Sequence, residues 1–196
     1  MFNLLIDGLP TEYRGLTINT SYKYGILISS LFDDDELEDE EKVYIALKLL
    51  YKDEIEIDKI KDATEGLFWY MSLGKNEWHL KEDNNGNNEP AIDYLQDSHD
   101  IYATFLGYFN IDLNKDDLHY WSFISLLSNL PDKCPLSSKI GFRTVDLSKL
   151  KGETKKYYAE LKSKFAIQET KSDEQIKQEE KLKKALPPKM REILGM

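Results

Sequence analysis

The residues of this chain best suited to chemistry are three histidines and one cysteine, and their spacing gives them no shared task. His79, His99 and His119 fall in neither HxxxH nor HExxH, the spacings that bring two imidazoles onto one metal, so no metal and no cofactor is expected. His99-Asp100 is a bare dipeptide, too little for a hydrolase. Neither GxSxG nor GxGxxG nor GxxxxGK[ST] occurs, and Gly74-Lys75 lacks the upstream glycine of a phosphate loop. The NNGNN run holds one glycine and reads as a turn rather than a phosphate cradle. Carboxylates are abundant, but abundance without burial or a partner makes no acid–base pair. Cys134 cannot form an internal disulfide and reads as a small packing residue of a reducing compartment. The residue types point away from an enzyme.

The elements that would position any site are mainly helices. The most apolar stretch is Asn110–Pro131, NIDLNKDDLHYWSFISLLSNLP, with no formal charge between Asp117 and Asp132. Tyr120, Phe123, Ile124 and Leu127 fall at i, i+3, i+4, i+7, and Leu118, Trp121 and Leu126 widen the stripe. A helix apolar around most of its girth is buried on several sides, so this is the expected centre of the core. Asn114 is its expected cap and Pro131 its stop. His119, beside the stripe, reads as a satisfied boundary histidine.

Around that centre the chain predicts a mainly α fold, a compact bundle of about six helices with a small N-terminal β-hairpin. Leu4–Ile6 and Tyr13–Ile18 are the hairpin strands, set among Gly8, Pro10 and Gly15. Asn19 or Thr20 caps a helix with Tyr24, Leu27, Ile28 and Leu31 inward, and Gly25 inside it costs about 1 kcal/mol relative to alanine. A second helix runs near Leu37–Tyr51 with Val43, Ala46, Leu47 and Leu50 inward. Asp58 caps a third, lined by Ile60, Thr64, Leu67, Phe68 and Met71. Glu82–Pro90, EDNNGNNEP, has no apolar residue and reads as an exposed mobile loop. A fourth helix near Asp97–Phe109 shows Ile101, Phe105, Tyr108 and Phe109, and the central helix follows. Cys134–Leu150 is a short helical or irregular connection anchored by Ile140, Phe142, Val145 and Leu147. Tyr157, Tyr158, Leu161 and Phe165 mark a sixth helix. The expected organisation is a helical domain over residues 1–168 and a charged tail or arm over 169–196.

Composition narrows the function classes. An apolar fraction of 41% and 23 aromatic residues argue for a folded chain. A net charge of −10 argues against a general nucleic-acid binder, and no apolar run approaches the roughly 18 residues of a membrane span. The N-terminus lacks the basic region of a signal peptide. Charge is unevenly placed: residues 33–62 hold thirteen acidic and five basic side chains, residues 149–196 thirteen basic and eight acidic. Such polarity orients a subunit in an assembly or matches a partner's field, although solvated faces are its commoner cause.

The succession of segments resembles the tail assembly chaperones of long-tailed bacteriophages and prophages of Gram-positive bacteria. The resemblance rests on NLLIDGLP and YRGLTINTSYK, then EEKVYIALKLLY, GLFWYMSLGK and DIYATFLGYFNIDLNKDDLHYWSF, and finally IGFRTVDLSKLKGETKKYYAELKSKFAI. It covers Asn3 to Ile167. Two departures are visible, since a tryptophan pair is expected where Tyr120-Trp121 stands and a tyrosine at Phe142. The resemblance implies a non-enzymatic factor of the host bacterial cytoplasm that binds the tape measure protein, keeps it soluble, and promotes tail tube protein assembly around it. A second reading is a head–tail connector or minor tail protein retained in the virion; a third is a small enzyme with a site assembled from distant residues.

Beyond Gln168 the pattern changes. Ser172–Leu186 is rich in lysine and glutamate, Pro187 and Pro188 interrupt it, and Met190, Ile193 and Leu194 follow at i, i+3, i+4. That spacing places three anchors on one helix face. Met190, Ile193 and Leu194 are the expected partner-binding residues, for the tape measure protein or for self-association.

Overall fold

The computed structural model describes residues 2–34, 36–75 and 91–168. The Glu82–Pro90 loop, the 169–196 tail and His79 therefore lie outside the described residues. Among those described, the fold is mainly helical: α1 (Leu4–Asp7), α2 (Tyr22–Phe32), α3 (Asp39–Leu50), α4 (Ile60–Met71), α5 (Ser98–Phe109), α6 (Tyr120–Leu127), α7 (Pro135–Thr144) and α8 (Gly152–Phe165). One antiparallel hairpin joins β1 (Glu12–Tyr13) to β2 (Leu16–Thr17), with Glu12 opposite Thr17 and Tyr13 opposite Leu16. The chain divides into two compact units, Met1–Asn88 with His99–Ser138, and Glu89–Ser98 with Lys139–Met196.

The first unit is organised by residues 16–22, which staple two distant stretches through their backbone. Asn19 N donates to Leu50 O at 2.7 Å and Lys52 N to Thr17 O at 3.1 Å. Further on, Tyr22 N donates to Leu118 O at 2.8 Å and Tyr120 N to Thr20 O at 2.7 Å. This second pair explains why α6 is shorter than the apolar pattern predicts. Extended backbone at 118–120 is needed to reach residues 20–22, so the helix begins at Tyr120 with His119 as its cap. Asn114 does not cap it; Asn114 N instead donates to Asp112 Oδ1 in a local turn.

The hairpin is also shifted. Leu4–Ile6 is helical rather than a strand, because Asn3 and Asp7 close a single turn: Leu5 N donates to Asn3 Oδ1 at 3.0 Å and Asn3 N to Asp7 Oδ2 at 2.7 Å. Gly8, at φ 76, then turns the chain out of the helix through a backbone region that side chains rarely occupy.

Packing rotates several expected faces. In α2 the buried residues are Tyr22, Gly25, Ile28 and Phe32, and Tyr24 is exposed. The Tyr120 ring occupies the space where a Gly25 side chain would stand, which is why glycine sits mid-helix despite its propensity cost. Gly25→Ala is expected to destabilise by about 1–3 kcal/mol in spite of alanine's better helix propensity. A thermal melt checks this; a variant as stable as the parent would show that the ring moves aside freely.

α3 buries Ala46, Leu47 and Leu50 as predicted, and the acidic run supplies Asp39, Glu40 and Glu41 to its first turn. α4 buries Ala63, Gly66, Leu67, Tyr70 and Met71, leaving Ile60 exposed; Asp58 lies in a 3₁₀ turn and does not cap it. α5 buries Ile101, Thr104 and Phe105, while Tyr108 faces solvent.

The expected connection contains a full helix, α7, and α8 buries none of its residues completely. Phe142 stacks on Phe165 with centroids 5.6 Å apart and meets Tyr158 at 6.3 Å, whereas Tyr157 is exposed.

Candidate interaction surface

The aromatic centre of the first unit is filled rather than open. Trp121, 1% exposed, donates from Nε1 to Tyr70 O at 2.8 Å. Phe2 meets it edge-on at 5.1 Å, and Trp69 and Tyr70 pack at 5.2 and 5.8 Å. A second stack runs from Tyr22 through Phe123 to Phe105 at 5.0 Å spacings. With its donor satisfied and its faces covered, Trp121 is a packing residue.

His119 is satisfied at both nitrogens. Nδ1 accepts from Trp121 N at 3.0 Å, and Nε2 lies 2.9 Å from Pro10 O. An amide N–H only donates and a carbonyl only accepts, so the ring is neutral with its proton on Nε2. Burial lowers its pKa, and the hydrogen bond to Pro10 only partly opposes that. Protonation would aim an Nδ1–H at the Trp121 N–H and put positive charge at the start of α6. A ring kept neutral in the fold contributes stability that is complete above its unfolded pKa and lost as pH falls below about 6.5. Loss of the cap is expected to cost about 1 kcal/mol between pH 7.5 and 5.5. In His119→Asn, which can still accept from Trp121 N, that part of the pH dependence should vanish from thermal melts. If both proteins respond alike, the titrating group lies elsewhere.

The one buried ionic cluster is in the second unit, among the described residues. Asp97 is fully buried and accepts from Arg143 Nη1 at 2.5 Å, Arg143 Nη2 at 2.9 Å and Lys139 Nζ at 2.6 Å. Asp93 N adds a fourth bond at 3.0 Å. Arg143 also donates to Ala91 O at 3.0 Å and Phe165 O at 2.6 Å. Burial pushes the Asp97 carboxyl up, but the bonds from Arg143, Lys139 and Asp93 outweigh it and hold it below the ordinary value. Each Asp97 oxygen accepts two bonds, so the carboxylate is committed to holding the cluster together and the cluster acts as a clamp. Sequence reasoning missed it; a lone arginine inside the Ile140–Val145 anchor run was the available signal.

His99 is exposed, and Cys134 is buried with its Sγ accepting from Ser137 N at 3.3 Å. Among the described residues no cluster of three or more His, Cys, Asp or Glu is arranged to hold a metal. None of their helices is long and apolar enough to cross a membrane.

What remains is apolar surface. Leu5 is 95% and Ile6 80% exposed on α1, with Leu4 and Leu9 beside them in sequence. Ile57 is 88% exposed ahead of α4, Ile60 follows it, and Leu106 and Tyr108 are uncovered on α5. The α1 ridge is held firmly: the Phe2 ring lies edge-on between Trp69 and Trp121, and Pro10 O is bound by His119. Met190, Ile193 and Leu194, the binding residues expected from sequence, lie outside the described residues.

The model of one protein family, described as Bacteriophage Gp15 protein, matches residues 5–167. The chain belongs to this family. The match takes in nearly all of α1 and ends two residues after α8, so the Gp15 family region holds both units' described helices. No curated protein and no solved structure matches this Gp15 family member.

Proposed function

We propose that this Gp15 family protein is a non-enzymatic tail assembly chaperone that binds the tape measure protein in the host cytoplasm and promotes tail tube assembly around it. The observation that supports this reading is a helical bacteriophage protein keeping Leu5, Ile6, Ile57 and Ile60 at its surface, beside a core whose polar groups are satisfied. A long amphipathic helix exposes an apolar stripe that aggregates unless covered, and apolar ridges on a helical body cover it by helix-to-surface contact. The residues best suited to catalysis, His119 and Asp97, are committed to structure.

Co-expression with the tape measure protein of the same phage tests the proposal. The partner should move from the insoluble to the soluble fraction and co-purify with this chain, and purified particles should lack the chain by mass spectrometry. A tape measure protein equally soluble without it would overturn the chaperone role. Stoichiometric presence in particles would instead make the chain a structural component.

A further inference from the structure

We propose that α1 is a docking ridge for the C-terminal segment Lys181–Met196 of a second copy of this chain. Leu5 and Ile6 project almost wholly into solvent, yet the turn that carries them is fixed at both ends. Phe2 is wedged against Trp69 and Trp121, Asn3 and Asp7 close the turn, and His119 holds Pro10. A frayed terminus would expose apolar residues on a loose chain; here they stand on a scaffold that has already lost its conformational freedom. Docking onto such a ridge carries little further ordering cost on that side.

The occupant is identified by charge and spacing. The first unit holds 24 of the chain's 36 acidic side chains and 11 of its 26 basic ones, and Asp7 and Glu12 flank the ridge in sequence. The segment KLKKALPPKMREILGM, from Lys181, carries Lys181, Lys183, Lys184, Lys189 and Arg191 against the single acid Glu192. Met190, Ile193 and Leu194 recur at i, i+3, i+4, and Pro188 suits the first turn of a helix that begins there. By their spacing these three are anchors of one helix face, and the ridge covers them. Asp7 and Glu12 beside the ridge and the basic residues of the segment lie far apart in sequence, and their pairing favours a head-to-tail contact between copies. Self-association of this kind needs no tape measure protein.

Sedimentation of the full chain tests it, because a head-to-tail contact uses two different surfaces that separate variants can complement. The wild type should sediment above the 22.9 kDa of one chain, and rising salt should return it toward that mass. Leu5→Asp/Ile6→Asp and Ile193→Asp/Leu194→Asp should each dissociate about tenfold or more readily and run as monomers. Mixed together, they should form a 1:1 complex, since one keeps an intact tail and the other an intact ridge. The replaced α1 side chains are exposed, so melting temperatures should not move. A wild type that stays monomeric would overturn the proposal, as would either variant associating like the parent. A mixture that remains monomeric would overturn it too.

Discussion

Trp121→Ala is expected to lower stability by about 3–5 kcal/mol, a large share of the roughly 5–15 kcal/mol that holds a domain together. The indole is 1% exposed and joins three parts of the first unit: Phe2 at the N-terminus, Trp69 and Tyr70 on α4, and its own helix α6. Alanine removes the ring contacts and leaves Tyr70 O without the indole N–H that it accepts at 2.8 Å. The cost is large because the surrounding rings are locked by one another and cannot collapse into the space. Chemical denaturation measures it, and Trp121→Phe should recover part of the loss by refilling the void without the donor. A variant that melts like the parent but loses a partner would show that Trp121 is a binding residue instead.

Arg143→Met is expected to cost about 3–5 kcal/mol of second-unit stability, because it leaves the Asp97 carboxylate buried beside Lys139 alone. The double replacement Asp97→Leu/Arg143→Met removes the buried pair, leaves only the partly exposed Lys139 ammonium, and should recover much of the loss. If the single and double variants are equally unstable, the carbonyl bonds from Arg143 to Ala91 and Phe165 matter more than the charge pair. The pH dependence has a definite sign. Asp97 has a lowered pKa in the fold, so its contribution is complete above the ordinary carboxylate pKa near 4 and is lost as pH falls through the lowered value. Parent stability should therefore drop below about pH 4, and the double variant should lack that component.

Periodicity located the helices well where one face dominates. Ala46, Leu47 and Leu50 of α3 and Tyr120, Phe123 and Leu127 of α6 are buried as their spacing predicts. It failed where a neighbour's shape decided the face. Tyr24 carries a large apolar ring but is exposed, because the side of α2 carrying Gly25 alone admits the Tyr120 ring. It failed again where backbone pairing overrode propensity, as at 118–120, whose bonds to residues 20–22 shorten α6 from its N-terminal side. Asp97 and Arg143 stand 46 positions apart, and no local pattern links them. The α1 ridge was invisible for a different reason. Leu4, Leu5 and Ile6 read as a hairpin strand until the Asn3–Asp7 turn makes them a helical turn facing water.

The anchoring of Pro10 by His119 spans 109 positions, and Phe2 reaches Trp121 over a similar distance. During synthesis Phe2 and Pro10 are made long before Trp121 and His119 exist. At typical elongation rates of about 5–20 residues per second, they wait on the order of 5–20 s with Leu4, Leu5 and Ile6 unsupported. For that interval Leu4, Leu5 and Ile6 are open to premature pairing between chains on one polysome. Substitutions that weaken the Pro10 anchor should lower the yield of soluble protein more than their effect on the finished fold would foretell.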